Sequence, residues 1–167
     1  MRSNNASKGG SQALDLAAIT TGSNTVNNYL GGLFEATAAD AIRPGVNGVV
    51  NNWGAISALP AMEMDGLLRV VSGSDGIDAQ ANTGIKVYNY GTVSGRHGIT
   101  GEDGGSGFNI TVTNYAGAVI QGVNGSGINI DESSSSAIIT NYGSIIGNYD
   151  STKYDVATAM AWTWTAR

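Results

Sequence analysis

His97 has Arg96 beside it and Glu102 and Asp103 close behind, so a base, a cation and two carboxylates gather in one short stretch. Such a group could move a proton on a substrate or hold the hydroxyls of a sugar. Arg96-His97 nevertheless fills the bend between Gly95 and Gly98, and no nucleophile or paired base is marked beside it, so the sequence reads as a solvated turn. Asp78, Asp131, Glu132 and Asp150 are carboxylates that could bind calcium or hydrolyse a glycoside as a pair. They stand singly at differing offsets, without an EF-hand loop or a Gly-Gly-x-Gly-x-Asp repeat, so neither a catalytic nor a metal residue is assigned. The alternative reading is a polysaccharide-active enzyme using Asp78, Glu102, Asp103 and Asp131 with His97 or Arg96.

Two other stretches imitate sites. Gly101-Glu-Asp-Gly-Gly-Ser-Gly107 has the glycines of a phosphate loop but lacks the Gly-Lys-Ser/Thr ending, and its two acids would repel phosphate. Thr111-Val-Thr113 and Thr163-Trp-Thr165 look like the paired threonines of ice-binding solenoids. Lys86 and Tyr88 in one repeat, and Ile138 and Thr140 in another, break any such lattice.

Composition narrows the classes further. The chain has 167 residues, no cysteine and a single histidine, so disulfides, thiolate metal sites and His-pair zinc motifs are excluded. A net charge of −5 argues against nucleic acid as a partner. No cofactor is implied. The first apolar cluster, Leu14 to Ile19, is interrupted by Asp15, so no signal-peptide core is read there, and no apolar run approaches the roughly 18 residues of a membrane span.

What positions these residues is a repeat. Ile139-Thr-Asn-Tyr-Gly-Ser-Ile-Ile-Gly147 recurs as Val87-Tyr-Asn-Tyr-Gly-Thr-Val-Ser-Gly95, Val112-Thr-Asn-Tyr-Ala-Gly-Ala-Val-Ile-Gln-Gly122 and Val50-Asn-Asn-Trp-Gly-Ala-Ile-Ser-Ala58, and more weakly from Val26 to Ala36. The ruler residues Asn28, Asn52, Asn89, Asn114 and Asn141 are spaced 24, 37, 25 and 27 apart. Each is preceded by a small-then-aliphatic step: Ala13-Leu14, Ala41-Ile42, Gly76-Ile77, Gly98-Ile99 and Gly127-Ile128. The repeat therefore carries two short strand signals separated by a variable polar bend. Its β-branched and aromatic residues bounded by glycine read as strand. A strand unit recurring at this period is satisfied by a coil whose turns stack in parallel, which predicts an all-β, right-handed parallel β-helix of about five rungs.

Stacking places like positions over one another. Val50, Val87, Val112 and Ile139 are expected to form an interior column, with a structural ladder of Asn28, Asn52, Asn89, Asn114 and Asn141 on the same side. Tyr29, Trp53, Tyr90, Tyr115 and Tyr142 are expected to stack on the opposite side as an aromatic column, able either to cover the strands or to bind sugar rings. The organisation reads as a flexible segment at 1–12, solenoid repeats over 13–149, and a terminal strand at 150–167. The long interval holds an insertion near 58–74, expected as a loop followed by a strand at Leu67 to Val71. Tyr154, Val156, Met160, Trp162 and Trp164 alternate with small or polar residues, which marks the terminal strand as a cap or assembly element.

The copies at 89–95 and 141–147, each near a Gly-Ile step, resemble the repeats of bacterial autotransporter passengers, over about residues 13–149. The resemblance implies a parallel β-helix at the cell surface or secreted, here the passenger portion without signal peptide or translocator barrel. It also implies an adhesin or stalk whose partners are a glycan or host surface. The function expected is a non-enzymatic extracellular structural or adhesive solenoid. Its open ends can self-associate head to tail into fibres or pair with a neighbouring solenoid.

Overall fold

The computed structural model describes residues 11–37, 39–59, 62–64, 68–70, 75–101, 109–130 and 136–148. These residues are all-β and wind into five rungs of three short strands each. The first rung has β1 (Leu14–Asp15), β2 (Thr25–Asn28) and β3 (Leu33–Thr37); the second has β4 (Ile42–Arg43), β5 (Val49–Asn52) and β6 (Ala55–Leu59). A hairpin, β7 (Met62–Met64) and β8 (Leu68–Val70), precedes the third rung of β9 (Ile77–Asp78), β10 (Ile85–Asn89) and β11 (Thr92–Gly95). The fourth comprises β12 (Ile99–Gly101), β13 (Asn109–Asn114) and β14 (Val119–Gly122), and the fifth β15 (Ile128–Ile130), β16 (Ser136–Asn141) and β17 (Ser144–Gly147).

Strands at the same place in successive rungs pair in parallel, which gives three five-stranded sheets: β1-β4-β9-β12-β15, β2-β5-β10-β13-β16 and β3-β6-β11-β14-β17. The protein is a parallel β-solenoid. Register follows the sequence repeat, with Asn28 against Asn52, Asn52 against Asn89, Asn89 against Asn114 and Asn114 against Asn141.

Alternation along each strand sends one set of side chains inward. Ile42, Ile77 and Ile99 form one interior column, Val50, Val87 and Val112 a second, and Ile56, Val93 and Ile120 a third, all fully buried. Ile139 continues the second column in register but is 41% exposed, which corrects the expectation that it is interior. It belongs to the last described rung, so a neighbour covers it from one side only.

Three strands per rung, where two were expected, come from the Asn-aromatic-Gly corner. That corner splits the repeated motif into one strand ending at Asn and another beginning just beyond the glycine. The glycine is required by close approach: a Cβ on Gly91 would lie 2.1 Å from the Gly54 carbonyl oxygen, and one on Gly54 would lie 2.2 Å from that of Gly32. Two rungs carry a longer corner, whose extra residues include Gly31 and Gly117 at φ of +80° and +81°. The insertion also differs from expectation. Its strand at Leu68–Val70 pairs antiparallel with Met62–Met64, placing Glu63 opposite Arg69.

Candidate functional site

Two corners of the coil concentrate the polar groups. At the first, where β2, β5, β10, β13 and β16 end, the asparagines run along the axis in one direction. Asn28 Nδ2 donates to Asn52 Oδ1 at 2.7 Å, Asn52 to Asn89 at 2.8 Å, Asn89 to Asn114 at 2.9 Å and Asn114 to Asn141 at 2.9 Å. Each of these amides gives its other hydrogen to a carbonyl in the next rung, at Ala55, Thr92, Val119 and Ser144 in turn. Asn28, Asn52, Asn89 and Asn114 are buried, while Asn141 is exposed on the last rung. Buried amides demand partners, and here each of the buried four finds them one rung away.

Beside that ladder, pointing outward, the aromatics stack. Ring centroids are 6.0 Å apart between Tyr29 and Trp53, 5.1 Å between Trp53 and Tyr90, and 4.0 Å between Tyr90 and Tyr115, with planes within 10° of parallel. A hydrogen bond with the Tyr90 hydroxyl raises the Tyr115 phenol above its ordinary value. Tyr142 sits in the next register position, exposed. Both faces of Trp53 and Tyr90 are taken by neighbouring rings, so a sugar, which stacks on a ring face, would meet only edges there.

The second corner lies just before the small-aliphatic step. The residue in that place is Asp40, Asp75, His97 and Ser126 in successive rungs. Asp40 Oδ1 accepts the Asp75 N–H at 2.9 Å, Asp75 Oδ1 accepts the His97 N–H at 2.7 Å, and His97 Nδ1 accepts the Ser126 N–H at 2.9 Å. Three different bonds thus perform one task, tying each rung to the next through a side-chain acceptor and a backbone donor. The Arg43 guanidinium binds Asp40 Oδ2 through Nε at 3.0 Å and Nη2 at 2.7 Å, and lies 3.9 Å from Asp15. Arg96 reaches Asp75 Oδ2 at 3.4 Å.

Asp78 lies behind this corner and is itself buried. Its carboxylate accepts the Gln80 N–H at 2.8 Å and also the Gln80 side-chain amide. Burial, reinforced by the negative charge and hydrogen bond of nearby Asp40, pushes the Asp78 carboxyl up to about 7 against the pull of Gln80. Burial raises Asp75 too, opposed by the His97 N–H and by Arg96.

The structure corrects the solvated-turn reading of His97, which is only 8% exposed. Its ring faces the next rung because Gly125 leaves room for it: a Cβ there would fall 2.7 Å from His97 Nδ1. Asp40 and Asp75 were missed by sequence reasoning. The signal available was a polar residue immediately ahead of each small-aliphatic step. Of the remaining candidates, Glu102, Asp103, Asp131, Glu132, Asp150, Thr163, Thr165, Tyr154, Val156, Met160, Trp162 and Trp164 lie outside the described residues. Among the described residues, no three His, Cys, Asp or Glu side chains are grouped to hold a metal ion, and no helix is long and apolar enough to cross a membrane.

Fold and geometry define the chain as a β-solenoid with polar inter-rung ladders at two corners. No family model, curated protein or solved structure matches it.

Proposed function

We propose that this chain is a non-enzymatic structural or adhesive solenoid working at the cell surface or in the extracellular space. The observation that carries the reading is where the acid/base groups spend their bonds. Asp40, Asp75 and His97 each hold a backbone N–H of the following rung, and Asp78 is held by Gln80. A general acid or base needs a proton donor or acceptor directed at a substrate, whereas the contacts of Asp40, Asp75 and His97 serve inter-rung cohesion and that of Asp78 holds a local turn. The extracellular placement and the glycan or host-surface partner rest on the likeness of residues 89–95 and 141–147 to autotransporter passenger repeats. The ring edges of the aromatic column and the exposed strand faces supply the adhesive surface.

The test is incubation of purified protein with a panel of plant and bacterial polysaccharides, measuring reducing ends, alongside retention of cells and glycans on immobilised protein. No release above blank, with retention of a cell or glycan class, is the expected result. Turnover that disappears in Asp78→Asn overturns the non-enzymatic reading in favour of a polysaccharide-active enzyme.

A further inference from the structure

His97 is the chain's single histidine, and its bond to the fifth rung fixes where its hydrogen sits. A backbone N–H only donates, so the 2.9 Å contact from the Ser126 N–H requires a bare Nδ1 and places the ring hydrogen on Nε2. A second proton can enter this imidazole only at Nδ1. There it sets two N–H groups against each other, and the bond is lost. The links made by Asp40 and Asp75 to the Asp75 and His97 N–H groups differ in kind, because a carboxyl keeps an acceptor oxygen even when it is protonated. Of these three ties, the one between the fourth and fifth rungs alone is reversed by a proton.

The ring has little room to evade that conflict. It is only 8% exposed, and a Cβ on Gly125 would fall 2.7 Å from both its Nδ1 and its Cε1. Turning it over would leave the Ser126 N–H against a carbon. On the side of the preceding rung stands Asp75, whose Oδ1 accepts the His97 N–H and whose Oδ2 already meets the Arg96 guanidinium at 3.4 Å. Asp40, paired with Arg43, and Asp78 lie beyond it. On the other side, 123–130 and 136–148 of the fifth rung carry no charged residue, and Glu102, Asp103, Asp131 and Glu132 lie outside the described residues.

The backbone bonds that remain at this corner are long, 3.2 Å from the Gly98 N–H to the Ser126 oxygen and 3.4 Å from the Asn124 N–H to the Arg96 oxygen. Shorter bonds resume on either side, from Val123 to Gly95 at 2.8 Å and from Ile99 to Gly127 at 3.0 Å. They bound the segment that depends on the imidazole to 124–126.

We propose that His97 is an acid-operated latch: uptake of a second proton breaks its bond to Ser126 and frees the segment 124–126 of the fifth rung from the fourth, while the other rungs stay tied. The latch goes beyond the structural or adhesive reading, which asks nothing of pH. The raised Asp75 and Asp78 carboxyls respond in the opposite sense, since their contributions fall as pH rises, so a whole-molecule melt would mix the two responses. A local readout separates them.

The experiment is an NMR titration of the 15N-labelled full chain from about pH 7.5 to about pH 5, the range in which an imidazole changes charge. The one histidine reports its own protonation, and amide exchange, corrected for the intrinsic effect of pH, reports each latch. The expected result is a bare, accepting Nδ1 at the upper pH and a protection factor at the Ser126 amide that falls about tenfold or more as the imidazole titrates. The Asp75 and His97 amides should hold theirs within about twofold. His97→Asn keeps an acceptor that does not titrate, and should remove the pH dependence at Ser126. Ser126 protection that stays level while the imidazole takes up its proton overturns the proposal, as does an Nδ1 that carries hydrogen at the upper pH. The same pH-dependent loss in folded His97→Asn overturns it too, since the trigger is then another group.

Discussion

The two polar corners of the coil meet the same requirement by different means. Both must tie rung to rung where the strands turn and the sheet hydrogen bonds lapse. The asparagine corner does so side chain to side chain, so donor and acceptor must have matching length and direction in every rung, and one residue type recurs. The acid corner does so side chain to backbone, where the donor is always an N–H and only an acceptor within reach is needed. Asp40, Asp75 and His97 all qualify. The first corner is consequently uncharged, whereas the second concentrates ionisable groups and carries raised carboxyls.

This contrast is broken most directly at Asn89. Asn89→Leu leaves an Asn52 amide hydrogen, the Gly91 N–H and the Asn114 oxygen without their partners, all of them buried or nearly so. With about 1–3 kcal/mol for each orphaned group and some relaxation, the expected loss is on the order of 4 kcal/mol by urea unfolding. Asn89→His should not recover it, because an imidazole cannot offer two hydrogens and an acceptor from one position. A loss under about 1 kcal/mol would mean that the ladder ties nothing.

The same operation at the acid corner should cost less and be repairable. His97→Ala orphans the Ser126 N–H and opens a small void beside Gly125, for an expected loss of about 2 kcal/mol. His97→Asn returns an acceptor to that N–H and should restore at least half of the loss. If Asn fails where His succeeds, the acid corner is as residue-specific as the asparagine corner and the contrast disappears.

That difference also decides what the sequence could reveal. Side chain-to-side chain stacking forces identity, so Asn28 to Asn141 and the aromatics beside them announce the rung spacing and the coil itself. The β-branched residues at Val50, Val87 and Val112 announce the inward face. Side chain-to-backbone linkage tolerates variety, so Asp40, Asp75, His97 and Ser126 bring three residue types to four rungs and the corner stays hidden. His97, flanked by glycines, then passes for a surface bend although neighbouring rungs bury it. The third strand of each rung was likewise concealed, because the repeated motif runs unbroken through a corner that only the stacking of Gly32, Gly54 and Gly91 makes visible. The 4-residue and 5-residue strands on either side of that corner read in sequence as one element.

The smallest effect expected is also the one with the opposite sign. The Asp78 carboxyl stands at about 7 in the fold against an ordinary 3.8, so between those values the native state holds a proton that the unfolded chain has released. The associated stability is fully present below about pH 3.8 and is lost as pH rises through about 7, with a ceiling of roughly 4 kcal/mol set by that gap. Asp78→Asn removes the ionisation while its oxygen can still accept from the Gln80 N–H and its amide can donate to Asp40. The bonds from Gln80 weaken on losing the charge, so the net gain should be about 1 kcal/mol at pH 8, falling to nothing near pH 4, by urea unfolding at the two pH values. The Asn89→Leu penalty should be the same at both, since no charge is involved there. A pH-dependent Asn89 penalty, or an Asp78→Asn gain that persists unchanged at pH 4, would mean that the two corners are electrostatically one unit rather than two.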